Sequence, residues 1–193
     1  MDNKGKIIVV AAPSGCGKST IINALLNDKN CNLNLGFAVS ATTRLPREGE
    51  KEGVNYYFMS EEAFRKAIAD NLFVEYEEVY PGRFYGTLRS EIERITDNGL
   101  NIILDIDVNG ALGVKNIYGK QALTIFINPP SIDALRQRLE NRGTEAADVI
   151  DVRISRAKYE ISRAPEFDKI IVNDNLDKAI NDTRSAMLEF INK

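Results

Sequence analysis

The chain has 193 residues, with 25 Lys plus Arg against 28 Asp plus Glu, a net charge of −3, no His, no Trp and two Cys. Without His, a Ser-His-Asp or Cys-His catalytic unit and a His-ligated metal are both excluded, and Cys16 with Cys31 cannot complete a four-thiolate zinc site. Chemistry is left to carboxylates, Lys, Arg, hydroxyls, backbone dipoles or a bound hard cation, in a chain whose length suits one domain or one core with an insertion.

In chain order, residues 6–11 read as a buried apolar strand and 18–27 as the helix after it. The apolar stretch 7–12 is shorter than a secretory h-region and runs into a Gly-Lys-Ser loop, so a signal peptide is rejected and a cytoplasmic location is expected. No apolar run approaches the roughly 20 residues of a membrane span, and the mildly acidic balance does not favour nucleic acid. Buried strands are predicted at 101–107, 122–127 and 167–173, and helices at 87–98, 131–141, 147–163 and 176–191. Gly99 and Gly143 stand just past helix ends, and Ser131 is placed to cap the helix it opens. Strand–helix alternation with near-continuous apolar strands predicts an α/β fold, a parallel sheet covered by helices.

Residues 36–86 break the rhythm, with strands predicted at 36–40, 54–58 and 72–79 and a helix at 61–69. Segment 48–78 carries nine acids against three bases and reads as part of an α+β insertion. Residues 136–163 carry six of the 13 Arg but one of the 12 Lys. Interspersed acids make a solvated helix face the plain reading of that run.

The sharpest motif is Ala12-Pro13-Ser14-Gly15-Cys16-Gly17-Lys18-Ser19-Thr20, after a strand and opening a helix. In that context it reads as a phosphate-binding loop, although the strict pattern has Gly where Ala12 stands. Gly15 and Gly17 let backbone N–H groups turn toward phosphate oxygens, and the helix N-terminus adds a positive dipole. Lys18 can reach the β- and γ-phosphates, and the Ser19 hydroxyl can ligate Mg²⁺. Cys16 is either a redox-sensitive thiol, if the helix dipole lowers its pKa and alkylation then blocks nucleotide binding, or a small side chain filling the loop.

Asp107-Val108-Asn109-Gly110 fits the Asp-x-x-Gly of small GTPases, but no Asn-Lys-x-Asp accompanies it. Arg44 and Arg47 flank Pro46, and two forked guanidiniums there could clamp a second phosphate. Two solvated loop arginines are the alternative. Asp105 or Asp107, at the C-terminal end of a strand, could hold Mg²⁺ through water.

Taken together, several motifs resemble the guanylate kinases, the bacterial ones in particular. They are Pro13 through Ser19, Ser40 through Glu50, Val54-Asn55-Tyr56-Tyr57-Phe58 and Phe73-Val74-Glu75-Tyr76. They continue through Tyr85-Gly86-Thr87, Ile103 through Asp107, Arg138 through Thr144 and Ile171-Val172-Asn173-Asp174, in order over nearly the whole chain. The resemblance implies Mg²⁺-dependent transfer of the ATP γ-phosphoryl group to GMP. It also implies a core of 1–35, 88–130 and 165–193, a GMP-binding insertion of 36–87 and a lid of 131–164. ATP would lie on 12–20, with Arg138 and Asn173. The GMP phosphate falls to Arg44, Arg47, Tyr56 and Tyr85, with Glu50 in support. Guanine falls to Ser40, Glu75, Thr87 and Asp107. Lys18, Arg44, Arg142 and Arg153 would stabilise charge in transfer, and Ser19 with Asp105 would face the metal. On residue types alone Glu75 and Glu77 share a strand face and are equivalent; the family motif favours Glu75. A non-catalytic interaction module of the same family, or a sugar-phosphate kinase, are the competing readings. Oligomeric state is left open.

Overall fold

In the computed structural model, which describes residues 4–28, 32–36, 38–141 and 147–193, all five residues of β1 (Ile7–Ala11) are buried. The chain then turns through the glycine loop into α1 (Lys18–Asn27). β2 (Leu35–Gly36), β3 (Ala41–Thr42) and β4 (Tyr57–Phe58) are two residues each. α2 (Glu61–Ala69), β5 (Phe73–Tyr80), β6 (Arg83–Leu88) and α3 (Arg89–Asp97) follow. The remainder runs β7 (Asn101–Asp105), α4 (Val108–Tyr118), β8 (Ala122–Asn128), α5 (Ile132–Glu140), α6 (Ala147–Ser162), β9 (Lys169–Val172) and α7 (Leu176–Ile191).

These elements make a five-stranded parallel sheet, ordered β2-β7-β1-β8-β9, and a four-stranded sheet, ordered β4-β3-β6-β5. The fold class is the α/β one expected. In the larger sheet β2 and β7 lie on one side of β1 and the later strands β8 and β9 on the other, so the order reverses at β1. Open α/β sheets bind ligands outside the carboxyl ends of strands at such a switch point. β1 ends there in the glycine loop, and β7 ends in Asp105.

Two compact units are distinguished: Met1–Ile7 with Asn34–Ile102, and Ile8–Leu33 with Ile103–Lys193. The first has its own aromatic core. Phe64 stacks on Phe73 at 4.3 Å and on Phe84 at 5.3 Å, with Ala41 and Ala67 around them. In the second, α1 packs on α7, α5 on α6, and α4 on β8.

Helices α1, α2 and α7 have the predicted bounds. Ser131 caps α5, accepting from the Ala134 N–H at 3.0 Å, and Gly99 takes φ 73° after α3. Gly143 lies outside the described residues. Four readings are corrected. The strand predicted at 36–40 is instead β2 and β3, because the chain passes from one sheet to the other across 38–40. Residues 83–88 form β6, an antiparallel partner of β5, so α3 begins at Arg89 rather than at 87. Residues 108–118 form α4, which Gly110 and Gly113 had concealed; the Asp107 carboxylate caps it, accepting from the Gly110 N–H at 2.7 Å. β9 is not buried: it ends the sheet beside β8, and Ile170 and Val172 are exposed.

Candidate active site

The loop between β1 and α1 owes its shape to two glycines in the left-handed region, Gly15 at φ 90° and Gly17 at φ 84°. A Cβ at Gly17 would stand 2.6 Å from Asn173 Nδ2, which donates to the Cys16 carbonyl at 2.8 Å. A Cβ at Gly15 would meet Leu139 Cδ2 at 2.9 Å. Gly17 caps α1 without a side chain, so the helix dipole at that end is not answered by a capping group.

Lys18, the first residue of α1, carries the nearest full charge. Its ammonium pairs with Asp105 Oδ1 at 2.5 Å and donates to the Ile106 carbonyl at 3.0 Å. Ser19 and Thr20 are exposed beside it, while Ala12 and Pro13 continue from β1. Among the described residues, no group of three or more His, Cys, Asp or Glu could hold a metal alone. Magnesium in nucleotide sites takes one or two protein oxygens and completes its shell with phosphates and water. The Ser19 hydroxyl and the Asp105 carboxylate, both hard oxygen donors reachable from solvent, fit that demand. Asp105 already holds Lys18, which suits a contact through water better than a direct bond.

Cys16 does not behave as a sensor thiol. It is fully buried, and that burial pushes its pKa up to about 12, against the smaller pull of Arg138 and Lys18. The thiolate is the reactive form, so the redox reading of this loop is withdrawn.

Residues of α5 and α6 reach the same loop. Arg153 on α6 donates to Ser14 Oγ at 2.6 Å. Arg138 on α5 donates to the Asn173 carbonyl at 2.8 Å, and Asn173 in turn holds Cys16. Arg136 pairs with Asp151 at 2.8 Å, and Arg163 pairs with Glu166, as solvated helix faces do. Arg142 lies outside the described residues, as do Cys31 and Thr144. Two residues of this region were not anticipated. Glu160 is buried, which raises its pKa, and it accepts from Arg156 Nε at 3.1 Å. Arg156 also stands 4.0 Å from Asp107.

In the first unit, Arg44 is the centre of a compact polar cluster. Its Nη1 and Nη2 donate to Glu50 Oε2 and Oε1 at 2.9 and 2.8 Å, and Nη1 also donates to the Leu45 carbonyl at 2.7 Å. Arg44 holds the Glu50 carboxyl down to about 2, assisted by the Arg47 backbone N–H at 2.7 Å. The guanidinium lies 5.3 Å from the Tyr56 ring centroid, and Tyr56 meets Tyr85 edge-on at 5.9 Å. Arg44, Glu50, Tyr56 and Tyr85 are thus brought together, with the Arg47 side chain exposed beside them. Arg44→Lys is expected to cut kcat/KM for the phosphate acceptor about tenfold or more, because an ammonium cannot span both Glu50 oxygens and still present a planar fork. Steady-state kinetics check this, and unaltered kinetics would remove Arg44 from the site.

Glu75 and Thr87 face each other across β5 and β6, and the Thr87 hydroxyl donates to Glu75 Oε1 at 2.7 Å. Glu75 is half-buried, whereas Glu77, opposite Tyr85, is exposed. Burial thus distinguishes the two carboxylates that share the strand face. Ser40 is half-buried, and its carbonyl accepts from the Tyr57 N–H at 2.9 Å. Asp107 belongs to the second unit, with one carboxylate oxygen committed to the α4 cap. Glu91 was also missed: it is buried on α3 beside Ile92 and Ile95, and a carboxylate on a core-facing helix position is the signal that marks it.

Residues 4–190 match the family model described as guanylate kinase. The chain is 51% identical over 189 residues to a guanylate kinase of Bacteroides thetaiotaomicron, covering 98% of this chain and 91% of that one. It is 50% identical over 188 residues to a guanylate kinase of Porphyromonas gingivalis, covering 97% and 99%. The crystal structure of guanylate kinase from Anaplasma phagocytophilum superposes with a TM-score of 0.71 at 32% identity, over 99% of this chain and 88% of that one.

Proposed function

We propose, from the premise that this chain belongs to the guanylate kinase family and is an ATP:GMP phosphotransferase, the following division of labour among its residues. ATP phosphates lie on the loop 12–20, with Arg138 and Asn173 bounding the nucleotide. The GMP phosphate is held by Arg44, Arg47, Tyr56 and Tyr85, and Glu50 braces Arg44. Guanine is read by Ser40, Glu75, Thr87 and Asp107. The core is 1–35, 88–130 and 165–193, the acceptor insertion 36–87 and the lid 131–164. The location is cytoplasmic; among the described residues, no helix is long and apolar enough to cross a membrane.

The single observation that carries the donor assignment is convergence on one short loop. Lys18 opens α1, Arg153 reaches Ser14, and Arg138 reaches the loop through Asn173. Ser19 and Asp105 would hold Mg²⁺, which would supply charge neutralisation on the donor phosphates. The attacking GMP phosphate oxygen is already anionic, so no general base is needed, in keeping with a chain that has no His. Its work is positioning and charge stabilisation by Lys18, Arg44, Arg142 and Arg153. Closure of 131–164 over the loop excludes water and limits ATP hydrolysis.

The test is ADP release measured with GMP, AMP, UMP and a sugar phosphate as rival acceptors. GMP is expected to exceed AMP in kcat/KM by about 10⁴-fold, since a site built on polar pairing rejects an edge that mismatches it. Preference for the sugar phosphate, or absence of turnover, would refute the assignment.

A further inference from the structure

We infer that Glu91 is a positioning residue for the acceptor site, holding the backbone and ring that carry Ser40 and Tyr56 in register; this rests on the acceptor reading above. Glu91 is the third residue of α3, where a glutamate ordinarily turns back to cap its own helix. Here it turns away. Oε2 accepts from the Val39 N–H at 2.9 Å, and Oε1 accepts from the Tyr57 hydroxyl at 3.0 Å. Arg94 completes the set from the same helix, with Nε on Oε1 at 2.9 Å and Nη2 on Oε2 at 3.0 Å. A carboxylate only 3% exposed is costly unless it is paired and hydrogen-bonded, and these four donors meet that need. Arg94 accordingly holds the Glu91 carboxyl below its ordinary pKa against the opposing effect of burial.

What Glu91 grips matters more than that it is satisfied. Val39 and Tyr57 are the immediate chain neighbours of Ser40 and Tyr56. Residues 38–40 lie in no strand, so the sheet ladder does not define their conformation. A closed circuit replaces it. Glu91 holds the Val39 N–H, the next carbonyl, that of Ser40, accepts from the Tyr57 N–H, and the Tyr57 hydroxyl returns to Glu91. Breaking the circuit at Glu91 frees both the guanine-facing segment and the ring end of Tyr57, without touching a residue assigned to substrate.

The experiment compares Glu91→Gln, Tyr57→Phe and Ser40→Ala by steady-state kinetics for GMP and ATP, with thermal unfolding alongside. Expected are a fall in kcat/KM for GMP of about tenfold for Glu91→Gln, a smaller fall for Tyr57→Phe, and an ATP KM within about twofold of wild type. Combined with Ser40→Ala, Glu91→Gln should cost far less than it does alone, because it acts through Ser40. Equal losses for GMP and ATP, additive effects in the double variant, or a lowered Tm with GMP kinetics unchanged would overturn the inference. Tyr57→Phe, which leaves the Glu91–Arg94 pair intact, decides the matter if Glu91→Gln does not fold. If Ser40→Ala and Glu75→Ala both leave GMP kinetics unchanged, the acceptor reading itself is wrong and the inference falls with it.

Discussion

Replacing Lys18 by Ala is expected to lower kcat on the order of 10²–10³-fold while GMP affinity stays within about twofold. Lys18 brings a full positive charge to the first turn of α1, and Asp105 and the Ile106 carbonyl define where its head sits. At the helix end itself alanine leaves the helix dipole and the glycine-loop N–H groups, about half an elementary charge, in place of a full one. Charge that develops on a transferring phosphoryl group then meets fewer compensating dipoles, so the loss falls on the transition state rather than on GMP binding. Folding should change little. The Asp105 partner is 42% exposed, and a pair so solvated contributes about 0–1 kcal/mol at most. Coupled ADP release gives kcat, calorimetric titration gives GMP affinity, and Tm controls for folding. Wild-type turnover would refute the loop assignment.

Glu75→Ala is expected to reduce kcat/KM for GMP about a hundredfold or more, with the ATP KM unaffected. Guanine presents N1–H and N2–H₂ as a donor edge, and a carboxylate is a matched double acceptor. Thr87 donates to Oε1 at 2.7 Å, which fixes the rotamer of Glu75. Alanine strands the guanine donors in a half-buried site. Glu75→Gln separates charge from size: its amide keeps the volume but places a donor against a donor, so it too should fail. The preference for GMP over AMP should shrink in both variants, because adenine N1 no longer meets a repelling carboxylate. Equal loss for GMP and ATP would count against a guanine reader at this position.

How much was legible depended on distance along the chain. The loop 12–20 was, because its chemistry is contiguous: two glycines, a lysine and a hydroxyl on one strand–turn–helix. Helices with clean caps and an apolar face were too, such as α2 behind Ser60 and α7 behind Asn175. α4 was not, since Gly110 and Gly113 lower its propensity and its cap, Asp107, had been read as chemistry. β6 was missed because Tyr85-Gly86-Thr87 has no alternating pattern of its own. Its place comes from pairing with β5, and a Cβ at Gly86 would stand 2.8 Å from the Glu75 carbonyl.

Periodicity and motif order by themselves indicated the fold class and the family, and composition excluded chemistry that needs a histidine. These are local or additive properties of residues. The tertiary structure decided the rest: that Glu75 and not Glu77 is the half-buried carboxylate, that Glu50 is the partner of Arg44, that Cys16 is buried, and that Glu91 ties Val39 to Tyr57. Each depends on burial or on a contact between residues distant in the chain, and only the folded backbone sets which polar groups lose their water and which partners replace it.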